Sequence, residues 1–334
     1  MDSYTAVDYH TAGEPFRIVT APFELPGDTV AARLAKATND PQAQLLRRIL
    51  CHEPRGHADM YGGFVVPADD EDAHFGVLFW HKDGFATACG HGTIALGTWA
   101  VESGLVTADP DGVTEVVIDV PSGRVKALVR CAEGKVVNVD FVNVPSYAVA
   151  LDVAIETSVG PLSVDVGYGG AIYGHVKAAD LGLSVTPSNL NRLIELGREI
   201  KAILNDSPYS KHEDDKLSGI YGTIFFEEQE GNAQALSQKS VTIFADGQVD
   251  RSPCGSGTAS RVAVLSARGR LEGGRALHNT SIVGATFIGK VSERSQTGGS
   301  EQVIPTVTGT SYITGRHEFI LDERDELGAG FVLR

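Results

Sequence analysis

Apolar residues in this chain come mostly in short runs bounded by Gly, Pro, Asp and Asn. Runs of that length and punctuation read as β-strands. In the first half they predict strands at 4–8, 16–20, 60–66, 75–80, 113–120, 125–131 and 136–142. In the second half they predict strands at 162–168, 171–176, 220–226, 241–245, 281–291, 301–307 and 311–321. Helical spacing marks four stretches. One covers 28–50, with Leu34, Leu45, Leu46 and Ile49 at core positions, and another covers 189–204, with Ser188 available as its cap. The other two follow Cys89 and Cys254 and stop near Gly104 and Gly269, the punctuation of short helices.

The order of elements repeats. Each half reads strand, strand, helix, strand, strand, cysteine loop, helix, strands. Tyr61-Gly62 recurs as Tyr221-Gly222, 160 residues on, and Cys89 recurs as Cys254, 165 residues on. This is one ancestral unit used twice. Strands flanking a central helix in each half give an α+β fold of two domains, expected at 1–146 and 147–319 with a linker near Pro145-Ser146.

The two cysteine loops carry the candidate chemistry. Ala88-Cys89-Gly90-His91-Gly92-Thr93 and Asp250-Arg251-Ser252-Pro253-Cys254-Gly255-Ser256-Gly257-Thr258 share Cys-Gly-X-Gly-Thr. A single copy reads as a buried small side chain before a turn. Two copies at half-chain spacing point instead to one working thiol per half. Each cysteine stands just before a helix N-terminus, where free amides and the dipole favour negative charge. Both thiols are therefore expected to be acidified from the usual pKa of about 8.5. The adjoining glycines leave amides bare for a substrate carboxylate.

Composition narrows the function classes. The 334 residues are 42% hydrophobic and 21% charged, ordinary for a globular chain. A net charge of −15, a pI near 5.1 and no basic stripe argue against nucleic acid and anionic membrane as partners. No apolar run reaches the length of a membrane span, and Met1-Asp2-Ser3-Tyr4 lacks the features of a signal peptide. Four cysteines (Cys51, Cys89, Cys131 and Cys254) are too few for a disulfide framework, so a cytoplasmic setting is expected, with Cys51 and Cys131 as packing residues. His52, His57, His81 and His91 follow no metal-ligand spacing, and no metal is expected. Gly167-Tyr168-Gly169-Gly170 lacks the Lys-Ser/Thr of a phosphate loop. A protease-like Cys–His pair would not call for a second thiol, and a non-catalytic amino-acid binder would need neither both thiols nor Asp250.

The chain resembles the proline racemase family, which has the diaminopimelate epimerase fold and includes proline racemases, hydroxyproline 2-epimerases and trans-3-hydroxy-L-proline dehydratases. The resemblance rests on His10-Thr11-Ala12-Gly13-Glu14-Pro15, Glu53-Pro54-Arg55-Gly56-His57, Cys89-Gly90-His91-Gly92, Tyr168-Gly169-Gly170 and the Asp250–Gly257 stretch. It implies two pseudo-symmetric domains, each an antiparallel sheet wrapped around a central helix, with the C-terminal segment 320–334 completing the first. It implies no cofactor, a small-molecule substrate (proline or a hydroxyproline) and a homodimer. By the same resemblance Cys89 and Cys254 face opposite sides of the substrate Cα as the acid/base pair. Amides at Gly90, Gly255, Ser256 and Gly257 hold its carboxylate, with Asp250 near its nitrogen and His91 on the opposite side.

Two positions bear on the ring. The family's proline racemases usually carry Phe where Tyr61 stands, whereas Phe244 matches their second Phe. A hydroxyl brought to an apolar wall favours a hydroxylated ring. The overall sequence looks closest to the 3-hydroxyproline dehydratases, notably around 55–61, but these typically carry Thr at the second thiol, where this chain has Cys254. Inversion at Cα removes a proton on one face and returns one on the other, so it needs two groups, one ionised and one protonated. Dehydration needs one base and help to a departing β-hydroxyl. The sequence thus points first to a hydroxyproline 2-epimerase and second to a dehydratase.

Overall fold

The computed structural model describes residues 2–20, 24–297 and 300–333. The chain forms two units, residues 1–140 with 310–334 and residues 141–309. These limits compare with expected divisions after 146 and 319.

The first unit runs β1 (Asp2–Thr11), β2 (Glu14–Thr20), α1 (Val30–Ala37), α2 (Pro41–Cys51), β3 (Tyr61–Val66), β4 (Phe75–His81), β5 (Gly84–Ala86), α3 (Gly90–Glu102), β6 (Val113–Val120) and β7 (Gly123–Ala132). The division falls within β8 (Lys135–Val142). The second unit opens on β9 (Tyr147–Thr157) and then repeats the series. It contains β10 (Gly160–Tyr168), β11 (Ile172–Lys177), α4 (Leu190–Asn205), β12 (Ile220–Gln229), β13 (Ala235–Phe244), β14 (Gln248–Asp250), α5 (Gly255–Ala267), β15 (Ala276–Ser281), β16 (Thr286–Thr297) and β17 (Ser300–Gly309). A last strand, β18 (Ser311–Leu321), belongs to the first unit.

The repeat extends to strand pairing. β2–β3 and β11–β12 are parallel, β3–β4 and β12–β13 antiparallel, β4–β6 and β13–β15 parallel, and β6–β7 and β15–β16 antiparallel. The sheets are therefore mixed rather than purely antiparallel. The cause is local: helices interrupt the meander between β2 and β3, between β11 and β12, and around both cysteine loops. A chain that crosses over through a helix returns parallel.

Three other expectations are corrected. The stretch 28–50 is two helices, because Asp40 caps α2 by accepting from the Ala43 amide at 2.8 Å and Pro41 cannot continue the α1 ladder. Ser188 does not cap α4; a 3₁₀ turn over Pro187–Asn189 leads in, and Asn189 makes no side-chain cap bond. β9 lies where a linker was expected to lead directly into the strand at 162–168. Its buried apolar positions are Val153 and Ile155 alone, too short an alternation to read as a strand.

Each unit is built around its cysteine helix. α3 packs against β1, β2, β6, β7 and β18, and α5 against β9, β10, β11, β16 and β17. Both helices are buried nearly all round, which explains why neither is amphipathic in sequence. Ile94, Leu96 and Trp99 on α3 are each worth about 2 kcal/mol in burial.

β18 pairs with β1 along its whole length, from Asp2↔Leu321 to Thr11↔Ser311. A buried ion pair anchors it. Arg17 donates from Nε to Asp8 Oδ1 at 2.9 Å and from Nη2 to Oδ2 at 2.7 Å, and from Nη1 to the carbonyls of Leu50 and Arg55 at 2.6 and 2.7 Å. Its guanidinium lies 4.2 Å from the centre of the Phe319 ring, and His317 Nε2 is 3.2 Å from Asp8. Arg55, in the Glu53–His57 motif, holds the carbonyls of Ile320 and Gly328. That motif therefore clamps the C-terminal segment. Asp8→Ala strands a buried guanidinium and is expected to lower unfolding free energy by about 3 kcal/mol in urea titrations; a loss below about 1 kcal/mol would show that the pair is not an anchor.

Candidate active site

Cys89 is the N-cap of α3, in extended backbone at φ −155°. Its sulfur accepts from the Gly92 amide at 3.2 Å, while Thr93 donates to the Cys89 carbonyl from its amide at 3.0 Å and its hydroxyl at 2.9 Å. The thiol thus replaces the oxygen that usually caps a helix. His91 lies beside it, with Nδ1 3.5 Å and Nε2 3.6 Å from Sγ. Burial pulls the His91 pKa from 6.5 down to about 3, against the opposing pull of the Pro15 carbonyl. The ring is neutral and supplies a hydrogen bond rather than a charge.

The His10–Pro15 motif is what holds this first turn. Thr11 donates to the His91 carbonyl at 2.9 Å and lies 3.1 Å from the Ser311 hydroxyl, and the Pro15 carbonyl faces the His91 ring. Tyr61 meets the His91 ring edge-on at 5.0 Å, and Phe16 does so at 5.8 Å. Tyr61, His91 and Cys89 are thus brought together as one cluster.

Cys254 occupies the matching place before α5 with a different backbone. Its φ of +63° is rare for a residue with a side chain. Ser252 stabilises that turn: its amide and hydroxyl donate to Asp250 Oδ1 at 2.8 and 2.7 Å, and its oxygen accepts from the Cys254 amide at 3.0 Å. The thiol packs with Ala171, Tyr173 and Ile224, against which Tyr221 also lies. Phe244 is one layer further out, stacked on Tyr221 at 5.6 Å.

The expectation that both helix ends acidify their thiols is corrected for Cys254. Burial and the Asp250 charge push its pKa well above the ordinary range, outweighing the Gly257 amide and the Thr242 and Tyr173 hydroxyls, which act the other way. Asp250 is itself raised to about 6 by burial, with Ser252 and the Cys254 thiol pulling it back. A helix end lowers a thiol pKa only if desolvation and neighbouring charge do not exceed it. At the position 165 residues before Asp250 stands Phe85, so the sequence offers Cys89 no matching carboxylate there.

Two glycines are fixed by a sulfur together with a neighbouring side chain, Phe16 at Gly92 and Ile224 at Gly257. A Cβ at Gly92 would sit 2.8 Å from Cys89 Sγ, and one at Gly257 would sit 2.9 Å from Cys254 Sγ. The Gly257 amide is directed at its own thiol. The amides of Gly90, His91, Gly255 and Ser256 have no partner among the described residues. Gly169, in the Tyr168–Gly170 motif, lets the β10–β11 turn touch α5: a Cβ there would lie 2.5 Å from the Ser256 carbonyl.

The proline racemase family profile matches residues 6–332. The chain belongs to the proline racemase family. It is 44% identical over 336 residues to a 3-hydroxyproline 2-epimerase of Burkholderia multivorans, covering 99% of this chain and 98% of that one. It is also 44% identical over 338 residues to a trans-3-hydroxy-L-proline dehydratase of Burkholderia cenocepacia, with the same coverage. A solved hydroxyproline epimerase from Agrobacterium vitis, with bound trans-4-hydroxy-L-proline, superposes with a TM-score of 0.89 at 33% identity over 99% of this chain and 96% of that one. The family and fold implied by the motifs are borne out.

Among the described residues no group of three or more His, Cys, Asp or Glu is placed to hold a metal ion, and no helix is long and apolar enough to cross a membrane. None of the four cysteines is in a disulfide. In this proline racemase family member, sequence reasoning passed over Tyr173, Ser252 and Thr11. Tyr173 follows the Tyr168–Gly170 motif by three residues on the same hairpin, and Ser252 stands inside the quoted Asp250–Gly257 stretch.

Asp250 gives a signed pH prediction. Its folded pKa lies above its unfolded value, so it favours the folded state at low pH, and that contribution is lost as pH rises from about 4 to about 6. Asp250→Asn lacks this loss. Relative to the parent, its unfolding midpoint is expected to climb between pH 4 and 6 and level off above. A difference that stays constant across that range would contradict the buried, raised carboxylate.

Proposed function

We propose that this enzyme inverts the Cα centre of a hydroxyproline without a cofactor, using Cys89 and Cys254 as the two proton-transfer groups. The observation that carries this reading is the second thiol. Cys254 stands on a helix N-terminus where the family's dehydratases typically carry threonine, and a site with two thiols is equipped to work on both faces of one carbon.

The local surroundings of each thiol support this reading. The substrate carboxylate is held by the amides of Gly90, Gly255 and Ser256, which take up negative charge as the Cα proton leaves. Cys89 accepts a first-turn amide and has a neutral histidine beside it, an environment compatible with a thiolate. Cys254 is buried next to a carboxylate and rests as a thiol. In one direction Cys89 removes the proton and Cys254 delivers one; the return reaction begins from the opposite pattern. Asp250 is assigned, as in the family, to the cationic substrate nitrogen, which offsets its charge on Cys254. Tyr61 and His91, two polar rings in contact beside Cys89, favour a hydroxylated ring over plain proline. The names of the 44%-identical relatives favour hydroxylation at C3.

Dehydration of trans-3-hydroxy-L-proline is the second reading, because a relative named for that reaction is equally similar. A cytoplasmic setting is the compartment that suits four cysteines without a disulfide. The deciding experiment is proton NMR in D₂O with trans-3-hydroxy-L-proline, trans-4-hydroxy-L-proline and L-proline in separate tubes. The expected result is the C2 epimer of a hydroxyproline, with Cys89→Ser and Cys254→Ser each lowering its rate roughly a thousandfold. Loss of the 3-hydroxyl to a pyrroline carboxylate, or full activity in either serine variant, would reject this reading.

A further inference from the structure

Tyr173 is the second residue of β11, fully buried, with its backbone paired to Gly167 of β10 on one side and Gly222 of β12 on the other. Its ring is held by an edge-on contact with Tyr221 at 5.6 Å and by Ala171 and Ile224. This fixes the hydroxyl at the start of α5, 2.8 Å from Ser256 Oγ and 3.9 Å from Cys254 Sγ. Burial pushes the phenol well above its ordinary pKa, so it keeps its proton.

The cysteine environment leaves a problem that this hydroxyl answers. Burial and Asp250 both oppose ionisation of Cys254, yet inversion in the return direction needs Cys254 as the base. The Gly257 amide and the Thr242 hydroxyl compensate in part. A phenol has one proton and two lone pairs. If Ser256 donates to the phenol oxygen, the phenol proton is left for the sulfur. While Cys254 is a thiol, its S–H can point to the carboxylate or to the phenol oxygen; once it is a thiolate, the phenol can only donate. In the first unit the helix position matching Ser256 carries His91, whose own ring lies beside Cys89. A ring adjoins each thiol, but it comes from the helix in one unit and from the sheet in the other.

We propose that Tyr173 is a positioning residue acting through Cys254: its hydroxyl, braced by Ser256, donates to the Cys254 sulfur in the thiolate state and lets that thiol serve as a base. The proposal rests on the two-thiol reading above. Its test is read on the thiol itself. In a Cys89→Ser background, the pH dependence of iodoacetamide alkylation at Cys254 is followed by mass spectrometry of its peptide. Tyr173→Phe is expected to raise the alkylation midpoint by about one pH unit and slow the reaction at pH 8 about tenfold, the effect of losing one hydrogen bond to a charged group. With both thiols present, the variant's kcat should fall about tenfold while KM stays within about twofold.

An unmoved midpoint, or a rate lowered equally at every pH, would overturn the assignment, since a ring that only packs gives that result. If Tyr173→Phe fails to fold, Ser256→Ala keeps the tyrosine and should move the midpoint in the same direction by less; no movement there overturns it equally. Failure of the parent chain to exchange Cα hydrogen with any substrate would instead reject the two-thiol function, and the alkylation midpoint would still judge Tyr173.

Discussion

A sulfur atom set against the first amides of a buried helix is the constraint on which this molecule depends. Its surroundings need a residue without a Cβ three positions on, because a side chain at Gly92 or Gly257 would collide with Phe16 or Ile224 and with the sulfur. It needs the helix end open, so small residues follow each cysteine. It also needs the helix enclosed, so that water does not compete for its amides. The mixed sheet of each unit supplies that enclosure. The His10–Pro15 and Tyr168–Gly170 segments then fasten the first turns, through Thr11 and Pro15 on α3 and through the close approach of Gly169 to α5.

The same motif is given two electrostatic settings. Cys89 caps its helix in relaxed backbone beside a neutral imidazole. Cys254 is held at positive φ by the Asp250–Ser252 turn and lies next to a carboxylate. Duplication explains the likeness of the two sites, and Asp250 against Phe85 explains much of their difference.

Much of this was legible in the sequence. The half-chain repeat, the paired cysteines and the family motifs led to the fold, the two thiols, Asp250 and His91, because close backbone approach and turn chemistry leave glycine and proline at fixed positions. Other features depend on contacts distant in sequence. Tyr173 reads as one more alternating strand residue; its relation to Cys254 exists only once β11 lies over the start of α5. The raised pKa of Cys254 was missed because a helix N-terminus is visible in sequence, whereas the desolvation that overrides it is not. The Arg17–Asp8 anchor joins residues nine apart that read as ordinary polar positions on neighbouring strands. β9 escaped notice because its buried alternation is only two residues deep.

The most direct measurement follows early turnover in D₂O, before the reverse reaction matters, and compares deuterium at Cα in the epimer formed with that in the substrate remaining. Two thiols of opposite role require the epimer to carry deuterium from its first appearance while the remaining substrate keeps protium. Deuterium entering the remaining substrate as fast as the epimer would mean that one group handles both faces, and would contradict a division of labour between Cys89 and Cys254.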